Sequence, residues 1–173
     1  MKSIISIILF FALGLSAFAQ IELGRAAEWN SASGQFYSTG GAFADINGDG
    51  WLDFVVSCGN DMARSRLMVF YFDTLAKKYN KNPDWQSDDV DYHGHLSIAD
   101  VNKDGRPDVA TSVYLGEGRF QSAGKVKLYM NIGTELEKTP SWTSRDNMYT
   151  FSCSFGDANG DGYPDLAVAT GES

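Results

Sequence analysis

The chain is poor in the residues that most often carry chemistry. Its 173 residues include two cysteines and two histidines. No Ser-His-Asp or Cys-His pairing can be assembled from them, and no elbow motif surrounds any serine. Basic residues are also scarce. Lys and Arg number 14 against 22 Asp and Glu, for a net charge of −8. An acidic chain without basic clusters argues against nucleic acid and anionic membrane surfaces as partners. No segment repeats its apolar residues with a period of 3.6, so helices are not expected. Beyond Leu15 no apolar run approaches the roughly 20 residues that cross a bilayer.

The apolar run that does exist is N-terminal. Lys2 is its lone basic flank, Ile4 to Leu15 is nearly unbroken, and Ala17-Phe18-Ala19 has the small-x-small form of a cleavage site. Residues 1–19 therefore read as an export signal, with an uncleaved membrane anchor as the alternative. The expected product is residues 20–173, secreted, periplasmic or at the cell surface, with no membrane span after cleavage. Loss of Lys2 takes the net charge from −8 to −9. Cys58 and Cys153 are compatible with an oxidising compartment and with two buried free thiols. Their non-equivalent places in different repeats favour free thiols.

What is abundant is repetition. "DINGDGWLD" fills 45–53, "DVNKDGRPD" fills 100–108 and "DANGDGYPD" fills 157–165, at steps of 55 and 57 residues. A second mark runs in phase: Trp29-x-Ser31, Trp85-x-Ser87 and Trp142-x-Ser144. Before each loop stands a short apolar segment ("GAFA", "LSIA", "CSFG"), and after it a β-rich one ("FVVSC", "VATSV", "LAVAT"). "RLMVFYFDT" and "KVKLYMNIG" follow, then a polar stretch with the next Trp. The unit is four strands, A to D, in about 56 residues, which is the pattern of β-propeller blades. The fold expected is all-β: two complete antiparallel blades, a D-like segment at 20–31, and an A–B pair at the end.

The loops carry the chemistry. Positions 1, 3 and 5 are Asp45, Asn47 and Asp49; Asp100, Asn102 and Asp104; Asp157, Asn159 and Asp161. Position 6 is Gly50, Gly105 or Gly162, allowing a sharp reversal. The carbonyl of position 7 (Trp51, Arg106, Tyr163) can face the same centre, and Asp53, Asp108 or Asp165 at position 9 can close it. Calcium takes about 6–8 such oxygens. Up to three Ca²⁺ are expected, one per loop, bringing the mature charge from −9 to −3. An EF-hand is excluded: position 12 is Val56, Thr111 or Val168 instead of Glu. Asn-Gly and Asp-Gly also make hairpin turns, but turns alone do not require Asp at positions 1 and 9 three times over.

The pattern apolar-x-D-x-N-x-D-G-x-x-D, followed by an apolar strand, resembles FG-GAP repeats, also grouped as VCBS repeats. Related calcium loops occur in integrin alpha-chain propellers. Phe155-Gly156 supplies the literal Phe-Gly pair. The resemblance spans roughly 29–173. It implies a propeller of about seven blades on secreted or cell-surface proteins, mostly non-catalytic adhesion and ligand-binding modules, with an extracellular protein or glycan as partner. Two complete blades cannot close a ring. The expectation is therefore an N-terminal part of a longer propeller; the alternative is several chains sharing one ring. A second functional alternative is the propeller part of a larger extracellular enzyme, such as a polysaccharide lyase or hydrolase.

Smaller features read blandly. His93 and His95, at i and i+2, would share one face of a strand; they are expected as polar strand residues rather than a metal pair. Asp88, Asp89 and Asp91 read as a solvated acidic loop. Phe70, Tyr71, Phe72 and Tyr129 are expected in the core, and the three in-register tryptophans between blades. "LGEGRF" (115–120) reads as a B–C connection, since it lacks the third glycine and the helix of a phosphate loop.

Overall fold

The computed structural model describes residues 26–32 and 36–171. Residues 1–19, read as an export signal, lie outside them, as do 20–25 of the segment read as a D strand. Every regular element described is a strand. The first sheet holds β1 (Ser38–Ala44), β2 (Asp53–Cys58), β3 (Met68–Phe70) and β6 (Trp85–Gln86), antiparallel in that order. A small hairpin, β4 (Phe72–Asp73) and β5 (Lys78–Tyr79), joins β3 to β6. The second sheet repeats the plan with β7 (His93–Ala99), β8 (Asp108–Val113), β11 (Val126–Tyr129) and β12 (Trp142–Thr143). Its extra hairpin, β9 (Leu115–Gly116) and β10 (Arg119–Ala123), lies between β8 and β11, as the B–C reading of 115–120 requires. The third sheet is the pair β13 (Thr150–Gly156) and β14 (Asp165–Thr170). These are two complete four-stranded blades and an A–B pair. Residues 26–32 form no strand, so the D-like segment is not one over its described part.

The blades stack through their first strands, with β7 packed against β1 on one side and β13 on the other. Strand alternation decides what lies between them. Val55 and Val69 of the first blade meet Val109 and Tyr129 of the second, with Ile46, Leu67, Trp85 and Leu136 completing one buried core. The other face of the first blade carries Val56, Met68 and Phe70, covered by Trp29, Phe36 and Tyr79. Burying side chains of this size stabilises by about 1.5–3 kcal/mol each.

The tryptophans do bridge repeats, in two cases of three. Trp29 Nε1 donates to the Tyr79 carbonyl at 3.0 Å, and Trp85 Nε1 to the Leu136 carbonyl at 3.0 Å. Trp142 is 48% exposed. Phe70 and Tyr129 are core, whereas Tyr71 and Phe72 are half-buried, Phe72 stacking on exposed Trp51. Cys58 and Cys153 are buried free thiols in different blades.

Two expectations need correction. His93 is buried and His95 exposed, so they are not an equivalent pair on the strand. The β7–β8 register shifts between His93 and Leu96, and a bulge breaks the two-residue period. Asp89 and Asp91 are not solvated; both pair with Lys127 of β11, Asp89 at 2.7 Å. Tyr129 adds its hydroxyl to the same Asp89 oxygen at 2.7 Å.

Candidate metal centre

Each Asp loop joins the first strand of a sheet to the second. The backbone must reverse twice, and left-handed residues do it: Gly48 and Gly50, Lys103 and Gly105, Gly160 and Gly162 all have φ between 59° and 85°. Lys103 is the non-glycine among them; its ammonium lies 3.7 Å from the Tyr163 ring centre of the next loop.

The reversal turns backbone amides inward, and the side chains of positions 1, 3 and 5 close on them. Asp49 N–H donates to Asp45 Oδ1 and Asn47 Oδ1, both at 3.0 Å. Gly50 N–H reaches Asp45 Oδ2 at 2.8 Å, and Trp51 N–H reaches Asp49 Oδ1 at 2.9 Å. The second loop repeats this through Asp104 N–H to Asp100 and Asn102, Gly105 N–H to Asp100, and Arg106 N–H to Asp104. The third does so through Asp161 N–H to Asn159, Gly162 N–H to Asp157, and Tyr163 N–H to Asp161. Side-chain oxygens of positions 1, 3 and 5 thus accept from backbone amides of their own loop in each copy.

Position 9 is set apart. Asp53 is fully buried: Oδ2 accepts from Ile46 N–H at 2.9 Å, and Oδ1 from Phe72 N–H at 3.0 Å. Asp108, also buried, accepts from Val101 N–H at 3.0 Å and Asn131 N–H at 2.8 Å. Burial pushes both carboxyls up from the usual range, against these amide bonds. Asp165 makes the corresponding bond to Ala158 N–H at 2.9 Å but is exposed, since β14 has no third strand beside it among the described residues. The position-9 aspartates thus brace loop to blade. Accordingly, no group of three or more acidic, His or Cys side chains is gathered as a metal set among the described residues. The set at positions 1, 3 and 5 consists of carboxylate and amide oxygens, exposed and net negative. That chemistry fits a hard cation such as calcium, with the carbonyl of Trp51, Arg106 or Tyr163 next in line and water filling the rest. At position 7 the Trp51 side chain stacks on Phe72, away from the set, whereas Arg106 pairs with Asp104 of the set and donates to the Asn131 carbonyl.

Neighbouring loops are tied together through Asn131, which the sequence did not single out. Its side-chain amide donates to the Ile46 carbonyl of the first loop at 2.8 Å. Its backbone N–H serves Asp108 of the second.

Antiparallel blades whose first two strands are joined by Asp-x-Asn-x-Asp-Gly loops define a repeat protein of the propeller-blade type. The family model for the FG-GAP-like repeat matches residues 45–111 and 100–168, well over half of the chain, and the chain belongs to that family. It is similar to integrin alpha-7 of Homo sapiens, at 36% identity over 78 residues, 42% of this chain. The match spans 7% of that integrin's length. No helix among the described residues is long and apolar enough to cross a membrane.

Proposed function

We propose that the chain is an exported, calcium-stabilised propeller module for adhesion or ligand binding, without catalysis of its own. The observation that carries this is the threefold identity of the loops. Three all-oxygen sets stand at the same end of three adjacent first strands and are joined across blades by Asn131 and Lys103. Calcium there would anchor loops that hold blades in register, leaving the opposite ends of the strands for recognition. Both thiols are buried, with their pKa raised by burial, which suits packing better than nucleophilic attack.

Extracellular calcium modules often bind at about 10⁻⁴–10⁻³ M, so an ion at ten times Kd stabilises by about 1.4 kcal/mol per site. Thermal unfolding with 10 mM Ca²⁺ and then with chelator tests this. The expected result is a clear rise in Tm that shrinks in Asp45→Asn/Asp49→Asn. A melt indifferent to calcium would overturn the calcium reading.

A further inference from the structure

At the ends of the first strands remote from the Asp loops, the three sheets line an open cavity of about 420 Å³. We propose that it is a binding site for a neutral sugar ring. The proposal rests on the reading of the chain as a binding module, but not on the calcium loops. Those lie at the other ends of seven-residue strands, roughly 20 Å away.

Backbone irregularity builds the cavity. Register shifts occur between Ser38 and Gly40, between His93 and Leu96, and between Thr150 and Ser152. Bulges of this kind re-aim side chains away from strict alternation. Thr39, Gly94, His95, Phe151 and Ser152 lie within these shifts or at their edges, and all five line the cavity. Gly94 lets the blades close here, since a Cβ on it would stand 2.6 Å from the Phe151 carbonyl oxygen.

The wall has two kinds of surface. Tyr114 and Phe151 lie 4.4 Å apart, centre to centre, with their planes inclined by 34°, and form an aromatic side; Phe151 is half-exposed. The same pocket is lined by polar side-chain groups without a hydrogen-bond partner among the described residues: the Asp61 carboxylate, the His95 imidazole, and the Tyr114 and Ser152 hydroxyls. Asn60 adds an oriented amide. Its Oδ1 accepts from Met62 N–H at 2.6 Å, which leaves Nδ2 to donate. Buried His93 also lines the cavity, and its Nε2 has no hydrogen-bond partner.

Unused donors and acceptors in one pocket with aromatic rings suit a ligand with hydroxyls on its rim and C–H groups on its face. Such a ligand is a pyranose. Charge argues for a neutral one. Asp61 disfavours an anion. Arg119, whose guanidinium lies 3.5 Å from the Asp61 backbone carbonyl, brings a compensating positive charge to the same loop.

The test is saturation-transfer NMR and calorimetry on the full chain with the methyl glycosides of glucose, galactose, mannose and N-acetylglucosamine. Nα-acetyl-lysine methylamide serves as the cationic control. All are run with calcium and with chelator. At least one glycoside is expected to bind saturably, with Kd on the order of 10⁻³ M. Phe151→Ala and Asp61→Asn, both at accessible positions, should each weaken it tenfold or more with an unchanged melt. Binding that survives both substitutions overturns the site, as does failure of every glycoside. Binding of the lysine probe alone overturns the sugar and leaves the module reading standing. A lost calcium response with sugar binding intact defeats only the calcium reading.

Discussion

The Asn131 side chain, in the second blade, donates to the Ile46 carbonyl, in the first Asp loop, at 2.8 Å. The contact crosses a blade boundary in a residue that is 2% exposed. Asn131 Oδ1 also accepts from Gly133 N–H at 2.9 Å. Removing the amide leaves a buried carbonyl and an N–H without partners, each costing about 1–3 kcal/mol. Asn131→Ala should lower stability by about 2–4 kcal/mol in urea unfolding. The loss should persist in chelator, because the bond belongs to the apo framework. A loss seen only with calcium would mean that Asn131 acts through the ion.

The repeated tryptophans predict unequal costs for one substitution. Trp85 is 1% exposed and holds the Leu136 carbonyl; Trp142 is half-exposed and makes no such bond. Trp85→Phe removes a buried hydrogen bond and leaves a void, at about 2–3 kcal/mol. Trp142→Phe should fall within about 0.5 kcal/mol of the parent. Chemical denaturation of both variants decides the matter, and equal costs would refute inter-blade packing as the reason for the difference.

The blade plan was legible because two marks, the Asp loop and the Trp-x-Ser, repeat in phase. The short apolar and β-rich segments around each mark then assigned strands A, B and C. Three things were hidden, each for a physical reason. The bulge that separates His93 from His95 is a register event between strands, and no single strand encodes it. The pairing of Asp89 and Asp91 with Lys127 joins residues 36–38 positions apart, brought together only by packing. The bracing role of Asp53 and Asp108 depends on the Phe72 and Asn131 amides, which arrive from just beyond the third strand of each blade. From sequence alone, those aspartates read simply as the position-9 ligand that closes a cage.

Gly94 predicts intolerance to a single methyl group. A Cβ there would meet Ser112 Oγ at 2.4 Å and the Phe151 carbonyl oxygen at 2.6 Å. The hydroxyl can rotate away, but the carbonyl is backbone of the next blade. Gly94→Ala should therefore cost about 1–3 kcal/mol by forcing the second and third sheets apart. Amide exchange would show the damage concentrated in β13 and β14. A uniform loss of protection across all sheets would instead point to a global effect.

His93 predicts how stability depends on pH. The imidazole is fully buried, 3.4 Å from Thr111 Oγ1. Burial lowers its pKa to about 4, with Asp91 and Asp89 pulling upward and Lys127 adding to the depression. In the unfolded chain the ring titrates near 6.5. Between those values the unfolded state binds a proton that the folded state does not, so stability falls as pH drops from about 6.5 to about 4. The shift corresponds to roughly 3 kcal/mol. Nearby Asp89 adds its own loss at lower pH. Burial raises its carboxyl, but Lys127 and Tyr129 outweigh this and hold it at about 2. Urea unfolding at pH 7, 6, 5 and 4 should therefore show a falling curve for the parent. His93→Gln, which cannot titrate but can still reach Thr111, should be nearly flat over the same window. Parallel curves for the two proteins would assign the acid sensitivity to other groups and leave His93 as a packing residue.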